Sequence, residues 1–327
     1  MSNEKQIIRL VDIDGKFPNI ALMKISAYYK KLGCDVAWHS PMLDATKKID
    51  KLFVSKLFKF TADYKYYPKN TKIFKGGTGF DITTKLPNFI SDITDVDYNM
   101  YPDCDYSLQF FSRGCIRQCP FCVVRKKEGY IHPVNPMTLN HNGKYIEVLD
   151  NNFFASPKWR EAIDFLLDAG QPVNLHGVDV RIMEEEHAYW LNKLKLKQKV
   201  HIAWDNPRED IRPKLQNVLK HISHNKLMSY VLIGYWSTPE EDFYRVEELR
   251  KLKINPYIMP FNKDSQYQKD FLNLVNAYMV FWGADWNEYK YNFFRIMKLE
   301  NERRAGRKLV LGELREVNKG REEVLCD

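Results

Sequence analysis

Six cysteines are spread over 327 residues, at positions 34, 104, 115, 119, 122 and 326, and three of them fall within eight positions. Ile116, Arg117 and Gln118 separate Cys115 from Cys119, and Pro120 and Phe121 separate Cys119 from Cys122. Such crowding suits a shared metal better than separate disulfides, each of which needs its own suitably spaced pair of backbones. Two metals are in contention. Structural zinc wants four tetrahedral ligands, usually as two pairs. No second pair follows here; His132 would complete a three-Cys, one-His set, at a spacing that matches no common zinc module. An iron–sulfur cube usually takes four thiolates. Held by three, it leaves one iron with an open position, and an open position on a metal marks catalysis rather than architecture.

The pattern Cys-x-x-x-Cys-x-aromatic-Cys, with Phe121 as the aromatic, resembles the signature of the radical S-adenosylmethionine (radical SAM) superfamily. The resemblance implies a [4Fe-4S] cluster on Cys115, Cys119 and Cys122. It also implies SAM chelating the fourth iron and reductive cleavage of SAM to methionine and a 5′-deoxyadenosyl radical. An electron donor of the flavodoxin or ferredoxin kind is implied as partner. The implied fold is α/β, a partial (β/α)6 TIM-like barrel with the cluster on the loop after its first strand.

The elements that must position such a loop can be sought independently. Residues 106–111 read as a short strand running directly into Ser112-Arg113-Gly114 and the cysteines. Strand-like runs follow at 145–149, 172–175, 200–204, 228–233 and 255–259. Helical patterns lie between them. Ser156-Pro157 reads as an N-cap with proline at the first helical position, ahead of a stripe of Trp159, Ala162, Ile163, Leu166 and Leu167. Thr238 to Glu241 reads as a capping box ahead of Phe243, Val246 and Leu249. Alternating strand and amphipathic helix predicts a parallel sheet, and six units in series favour a barrel.

In such barrels chemistry gathers at the C-terminal ends of the strands. The resemblance then assigns SAM contacts. Asp150-Asn151-Asn152 takes the place of the family's Gly-Gly-Glu-like segment, with Asn151 and Asn152 as acceptors for the SAM ammonium. Arg181 would pair with the SAM carboxylate, and Asp179 or Asp205 would accept from the ribose hydroxyls. Phe121 would bring its backbone near the adenine edge, and Ile233 and Gly234 would pack near its face. His176 reads as a satisfied core histidine, and Cys104 as a buried thiol.

Residues 1–90 read as a separate, small, doubly wound Rossmann-like unit, with strands at 6–11, 34–38, 51–54 and 71–74 and a helix through Ile20 to Tyr28 stopped at Gly33. Its layout resembles the cobalamin-binding domain that precedes many radical SAM barrels. Ser55-Lys56-Leu57 and Gly76-Gly77 match two of that domain's markers, whereas Asp12-Ile13-Asp14-Gly15 lacks the histidine of the third. Cobalamin would bind without a protein ligand below the cobalt, or the unit would hold substrate. Residues 91–105 read as a connection within the Asp-, Pro- and Asn-rich stretch 85–105, 106–262 as the barrel, and 263–327 as a C-terminal helical region. In that region Phe271, Leu274, Val275 and Tyr278 mark one helix and 288–302 a second, with Phe293, Phe294 and Met297 as its apolar side.

Composition bounds the rest. A hydrophobic content of 44% supports a buried core, and 15 Gly and 15 Pro exclude collagen-like designs. No apolar stretch approaches the roughly 18 residues of a membrane span, and the first five residues show no secretory signal, so a cytoplasmic location without membrane contact is expected. Fifty basic against 42 acidic residues give a net charge of +8, which permits a nucleic-acid substrate without demanding one. From 290 to 327 ten Lys/Arg face seven Asp/Glu, a mixed solvated face. The expected function is a radical SAM enzyme acting on an unidentified substrate, by methylation or by hydrogen abstraction. The rival is a zinc-stabilised nucleic-acid-binding protein using the same thiolates with His132.

Overall fold

The computed structural model describes residues 5–305. The first four residues, the tail from 306 onward and Cys326 lie outside the described residues. The chain divides into two compact units. One comprises Met1–Asp179 with Trp190–Gln198, the other Val180–Tyr189 with Lys199–Asp327.

The first unit opens with a four-stranded, all-parallel sheet of β1 (Ile7–Asp12), β2 (Asp35–Trp38), β3 (Lys51–Ser55) and β4 (Lys72–Gly76), in the order β2-β1-β3-β4. Strand β1 is buried through its middle, and its one charged residue there, Arg9, is paired with Asp35 and Asp44. Helix α1 (Ile20–Lys31) joins β1 to β2 and packs Leu22, Ile25 and Tyr29 onto Ile8 and Leu10. Asn19 caps it through Oδ1, and Gly33, at φ 79°, follows its end as the sequence predicts. The doubly wound expectation meets a difference here: the chain runs from β2 to β3 and from β3 to β4 through turns and coil, with no helix. After β2 the chain closes a turn in which Asp44 accepts the Ser40 amide at 3.0 Å.

The stretch between the sheets is not a bare connection. Short helix α2 (Asn88–Ser91) buries Ile90 against the N-terminal sheet, while Tyr98 and Cys104 pack with Leu108. A second parallel sheet follows, β5 (Ser107–Gln109), β8 (Ile146–Val148) and β9 (Val173–Leu175), in that order. Between β5 and β8 the chain makes a ribbon that periodicity did not anticipate: β6 (Ser112–Arg113) pairs antiparallel with β7 (His132–Pro133), and α3 (Val124–Glu128) lies within its loop. Helix α4 (Trp159–Ala169) starts two residues after Pro157, because a 3-10 turn over Phe153–Ala155 occupies the expected entry. Ser156 Oγ accepts from the Lys158 amide and does not cap the helix.

Helix α5 (Glu185–Lys193) precedes the second unit's parallel sheet, β10 (Val200–Ala203), β11 (Leu227–Ile233) and β12 (Asn255–Pro260). Helix α6 (Arg212–Leu219) links the first two strands, and α7 (Pro239–Lys251) links the last two. The capping box at α7 forms as read: Thr238 Oγ1 accepts from the Glu241 amide and Glu241 from the Thr238 amide. Helices α8 (Gln266–Asn276), α9 (Tyr278–Gly283) and α10 (Trp286–Arg304) complete the unit, with Phe293 buried against Phe243 and Phe271 while Phe294 is half exposed. All six strands read from the sequence are thus present, as two three-stranded parallel sheets, one in each unit. No helix among the described residues is long and apolar enough to cross a membrane.

Candidate metal centre at the cysteine loop

The segment that carries the three cysteines is closed at its base before any metal is considered. Gln109, at the end of β5, donates from Nε2 to the Met137 carbonyl at 2.6 Å and accepts the Met137 amide at 2.9 Å. One buried amide therefore ties together the two ends of a loop of more than twenty residues. Asp150, just past β8, accepts the Phe111 amide at 2.8 Å and the Ser112 hydroxyl. Burial pushes its carboxyl up to about 6 even with those two donors.

Above this base, Glu128 acts as a hub. It receives Arg113 through Nε at 3.2 Å and Nη2 at 2.7 Å, the Gly114 amide at 3.1 Å, and Asn151 Nδ2 at 2.9 Å. The fork-on-carboxylate geometry fixes distance and plane together. Gly114 is obligatory: its φ is 82°, and a Cβ there would run into the Gly129 and Tyr130 carbonyls. Sequence reading missed Glu128. Its one signal is an acid closing the otherwise basic run Arg125-Lys126-Lys127, just past Cys122.

Cys115 and Cys119 are half-buried and Cys122 is exposed; with Cys34 and Cys104, all the described cysteines are thiols. Cys104 is used elsewhere, donating to the Tyr106 carbonyl with its thiol pushed up by burial. Cys115 Sγ accepts from the Arg117 amide at 3.4 Å and from Asn152 Nδ2 at 3.8 Å. Arg117 Nε reaches Asp179 Oδ2 at 2.8 Å, and Asn152 Nδ2 lies 3.4 Å from that same oxygen. The structure thus brings Cys115, Asn152 and Asp179 together, with Asn151 held at Glu128. Asn152 is almost fully buried, and its Oδ1 has no hydrogen-bond partner. A buried acceptor left unmet costs on the order of 1–3 kcal/mol, which a ligand bearing an N–H donor would recover.

Among the described residues, no group of three or more His, Cys, Asp and Glu side chains is arranged to hold one metal ion. A cube needs its three thiolates around one cluster, each on a different iron, whereas a zinc needs all its ligands on one ion. His132 is exposed, and its Nδ1 lies 2.9 Å from the Tyr130 carbonyl. The donor set of three thiols on one braced loop therefore fits a cluster better than the zinc alternative.

The remaining expected contacts lie elsewhere in the chain. Phe121 is half-buried within the cysteine loop. In the second unit Arg181 pairs with Glu209 at 2.8 Å, and Asp205 Oδ1 accepts the Leu232 amide. Ile233 is fully buried in the sheet core. Gly234, at φ 75°, is packed so closely by Gln268 that a Cβ would collide with that side chain. On the first unit's second sheet, His176 Nε2 meets Glu147, which Asn174 also contacts at 2.8 Å. Burial alone would raise the Glu147 carboxyl, but the hydrogen bonds from His176 and Asn174 leave it below its ordinary value. His176 thus has the partner expected of a satisfied histidine, but it is half-buried and not part of the core.

At the N-terminal sheet the cobalamin markers are engaged within the protein. Ser55 Oγ accepts Asn19 Nδ2 at 2.8 Å. Asp14 accepts the Leu57 amide and the Thr61 hydroxyl. Gly77, at φ 95°, leaves no room for a Cβ beside the Lys56 carbonyl, so the chain's own backbone fills the glycine cradle. These residues do not fit open contacts to a corrin. The same loop nevertheless meets the cysteine segment, since Lys127 Nζ donates to Thr78 Oγ1 at 2.8 Å.

No protein-family model matches the sequence, and no curated protein matches it. Among solved structures the chain is similar to TsrM, a radical S-adenosylmethionine methyltransferase from Kitasatospora setae, solved with its tryptophan substrate and the SAM analogue aza-SAM. The TM-score is 0.56 at 11% identity, over 78% of this chain and 73% of that chain. At that identity the likeness is one of fold. The chain has an α/β fold shared with a radical SAM methyltransferase.

Proposed function

We propose that this chain is a radical SAM enzyme whose site is built on the cysteine loop. Cys115, Cys119 and Cys122 hold a [4Fe-4S] cluster, which when bound supplies the electron that splits SAM. The observation that carries the reading is the pairing of that three-thiol loop with a buried, partnerless amide oxygen on Asn152. An ammonium is the donor such an oxygen would take, and it is the group the resemblance assigns there.

This chain's own residues do the remaining work. Gln109 and Asp150 pin the base of the loop, and Glu128 and Arg113 set its height. Asp179 holds Arg117 between the first two cysteines. Through that ion pair it acts on the loop itself. The cofactor carries the chemistry, while the protein orients and excludes water. The backbone of Phe121, on the cysteine loop, would lie near the adenine edge of SAM. The substrate is modified by hydrogen abstraction or methylation, and an optical spectrum of the purified protein, with or without corrin bands, divides the two.

The test is anaerobic reconstitution with iron and sulfide, followed by dithionite and SAM. Cluster absorbance and release of 5′-deoxyadenosine are expected. A fully treated chain that takes up no iron, or one zinc without labile sulfide, would overturn the reading.

A further inference from the structure

Asn152 stands where two acceptors converge, and that fixes which way its amide faces. Cys115 Sγ lies 3.8 Å from Nδ2 and Asp179 Oδ2 lies 3.4 Å from it. Turned over, the amide would set its oxygen against the Asp179 carboxylate and, once a cluster is held, against a thiolate, neither of which can donate. The NH2 therefore faces the sulfur and the oxygen faces away. That oxygen is buried without a partner. The residue is 1% exposed, so water does not compensate it freely. Cys115 Sγ already accepts the Arg117 amide at 3.4 Å, which makes it a ligand with two N–H donors.

We propose that Asn152 is a redox-coupling residue: its N–H bond to Cys115 raises the cluster's reduction potential, and a ligand donating to its Oδ1 strengthens that bond. This rests on the cluster reading above and adds a residue-level control to it. A cluster held by Cys115, Cys119 and Cys122 would be reduced by one electron from a low-potential donor of the ferredoxin or flavodoxin class. The added negative charge is shared with the thiolate sulfurs. Hydrogen bonds to those sulfurs stabilise the reduced form and are a recognised lever on potential. A donor on the amide oxygen polarises the N–H in the same direction, since linked hydrogen bonds reinforce one another. Binding at one end of a single side chain thus makes electron entry at the other end easier.

The experiment is an anaerobic redox titration of the reconstituted full chain, read by EPR, with and without SAM. The parent is compared with Asn152→Leu and Asn152→Asp. At a fixed solution potential, Asn152→Leu should lower the reduced-to-oxidised ratio about tenfold, a shift of about 59 mV for a one-electron couple. The part of the SAM-induced shift carried by the amide should vanish with it. Asn152→Asp keeps the side-chain shape but offers no donor to the sulfur, so its potential should fall likewise, even where Leu at this polar site impairs assembly. A parental potential in an iron-replete Asn152→Asp protein overturns the inference while leaving the cluster reading intact. Failure of the parent itself to take up iron overturns the cluster reading instead.

Discussion

Two strand edges in the first unit invite comparison: the C-terminal edge of the N-terminal sheet and that of the β5-β8-β9 sheet. Both end parallel strands in polar loops, and both carry residues that a sequence reader would mark. At the N-terminal edge the marked groups have partners inside the protein: Ser55 on Asn19, Asp12 on the Tyr101 hydroxyl, Asp14 on two donors, and Gly77 against Lys56. At the cysteine edge the bracing groups are satisfied, yet Asn152 Oδ1 is not, and of the three cysteines two are half-buried and one is exposed. The first edge is finished as structure. The second is finished only up to the point where a ligand would complete it. Chemistry-bearing residue types occur at both edges, so what separates them is unmet bonding capacity.

The largest effect that would sharpen this contrast is removal of any one thiolate. Cys115→Ala, Cys119→Ala or Cys122→Ala should each reduce retained iron to about a tenth of the parent or less, measured by iron and sulfide content after reconstitution. Retention of parental iron in all three would erase the distinction between the edges. Glu128→Ala comes next. It strips Arg113, the Gly114 amide and Asn151 of their shared acceptor, and iron retention should weaken about tenfold, within the range for residues that orient metal ligands. At the other edge Gly77→Ala should act on stability alone. A Cβ against the Lys56 carbonyl at positive φ should cost about 2–3 kcal/mol in chemical denaturation, with iron binding per folded chain unchanged.

The smallest effect is a pH dependence from Asp150. Burial lifts its carboxyl from 3.8 to about 6 in the folded chain. The unfolded chain therefore releases this proton first, and the stability held by the protonated form is complete below about pH 4 and lost as pH rises through 6. Linkage puts the loss between pH 5 and 7 at about 1 kcal/mol. Asp150→Asn should flatten that segment of the stability profile. A parent profile that rises with pH from 5 to 7 while the variant stays flat would contradict the assignment.

Much of the architecture was legible because period and caps agree with it. The Thr238 capping box, the Gly33 stop and the six strands of the two C-terminal sheets follow from local chemistry. Other features were hidden for physical reasons. Residues 85–105 look like a linker by composition, yet Ile90, Tyr98, Met100 and Cys104 each bury a side chain at isolated positions that have no period to detect. The β6–β7 ribbon has only two residues in each strand, and pairing of residues twenty apart leaves no trace in either segment. Ser156-Pro157 reads as a helix start because its residues suit one, but the 3-10 turn before it claims the position. At the site, spacing alone exposed the three cysteines. Glu128 and Arg117 stayed invisible, since a carboxylate hub and an arginine inside a metal loop look like ordinary surface charge until their partners are placed.

The central claim is that a cluster on this loop keeps one iron open to a ligand, and EPR of the reduced, reconstituted chain tests it most directly. Addition of SAM should change the g-values and line shape of the cluster signal, as expected when amino and carboxylate groups enter the iron's coordination sphere. A cluster signal that is identical with and without saturating SAM would mean that all four irons are already closed, and the proposed function would fail with it.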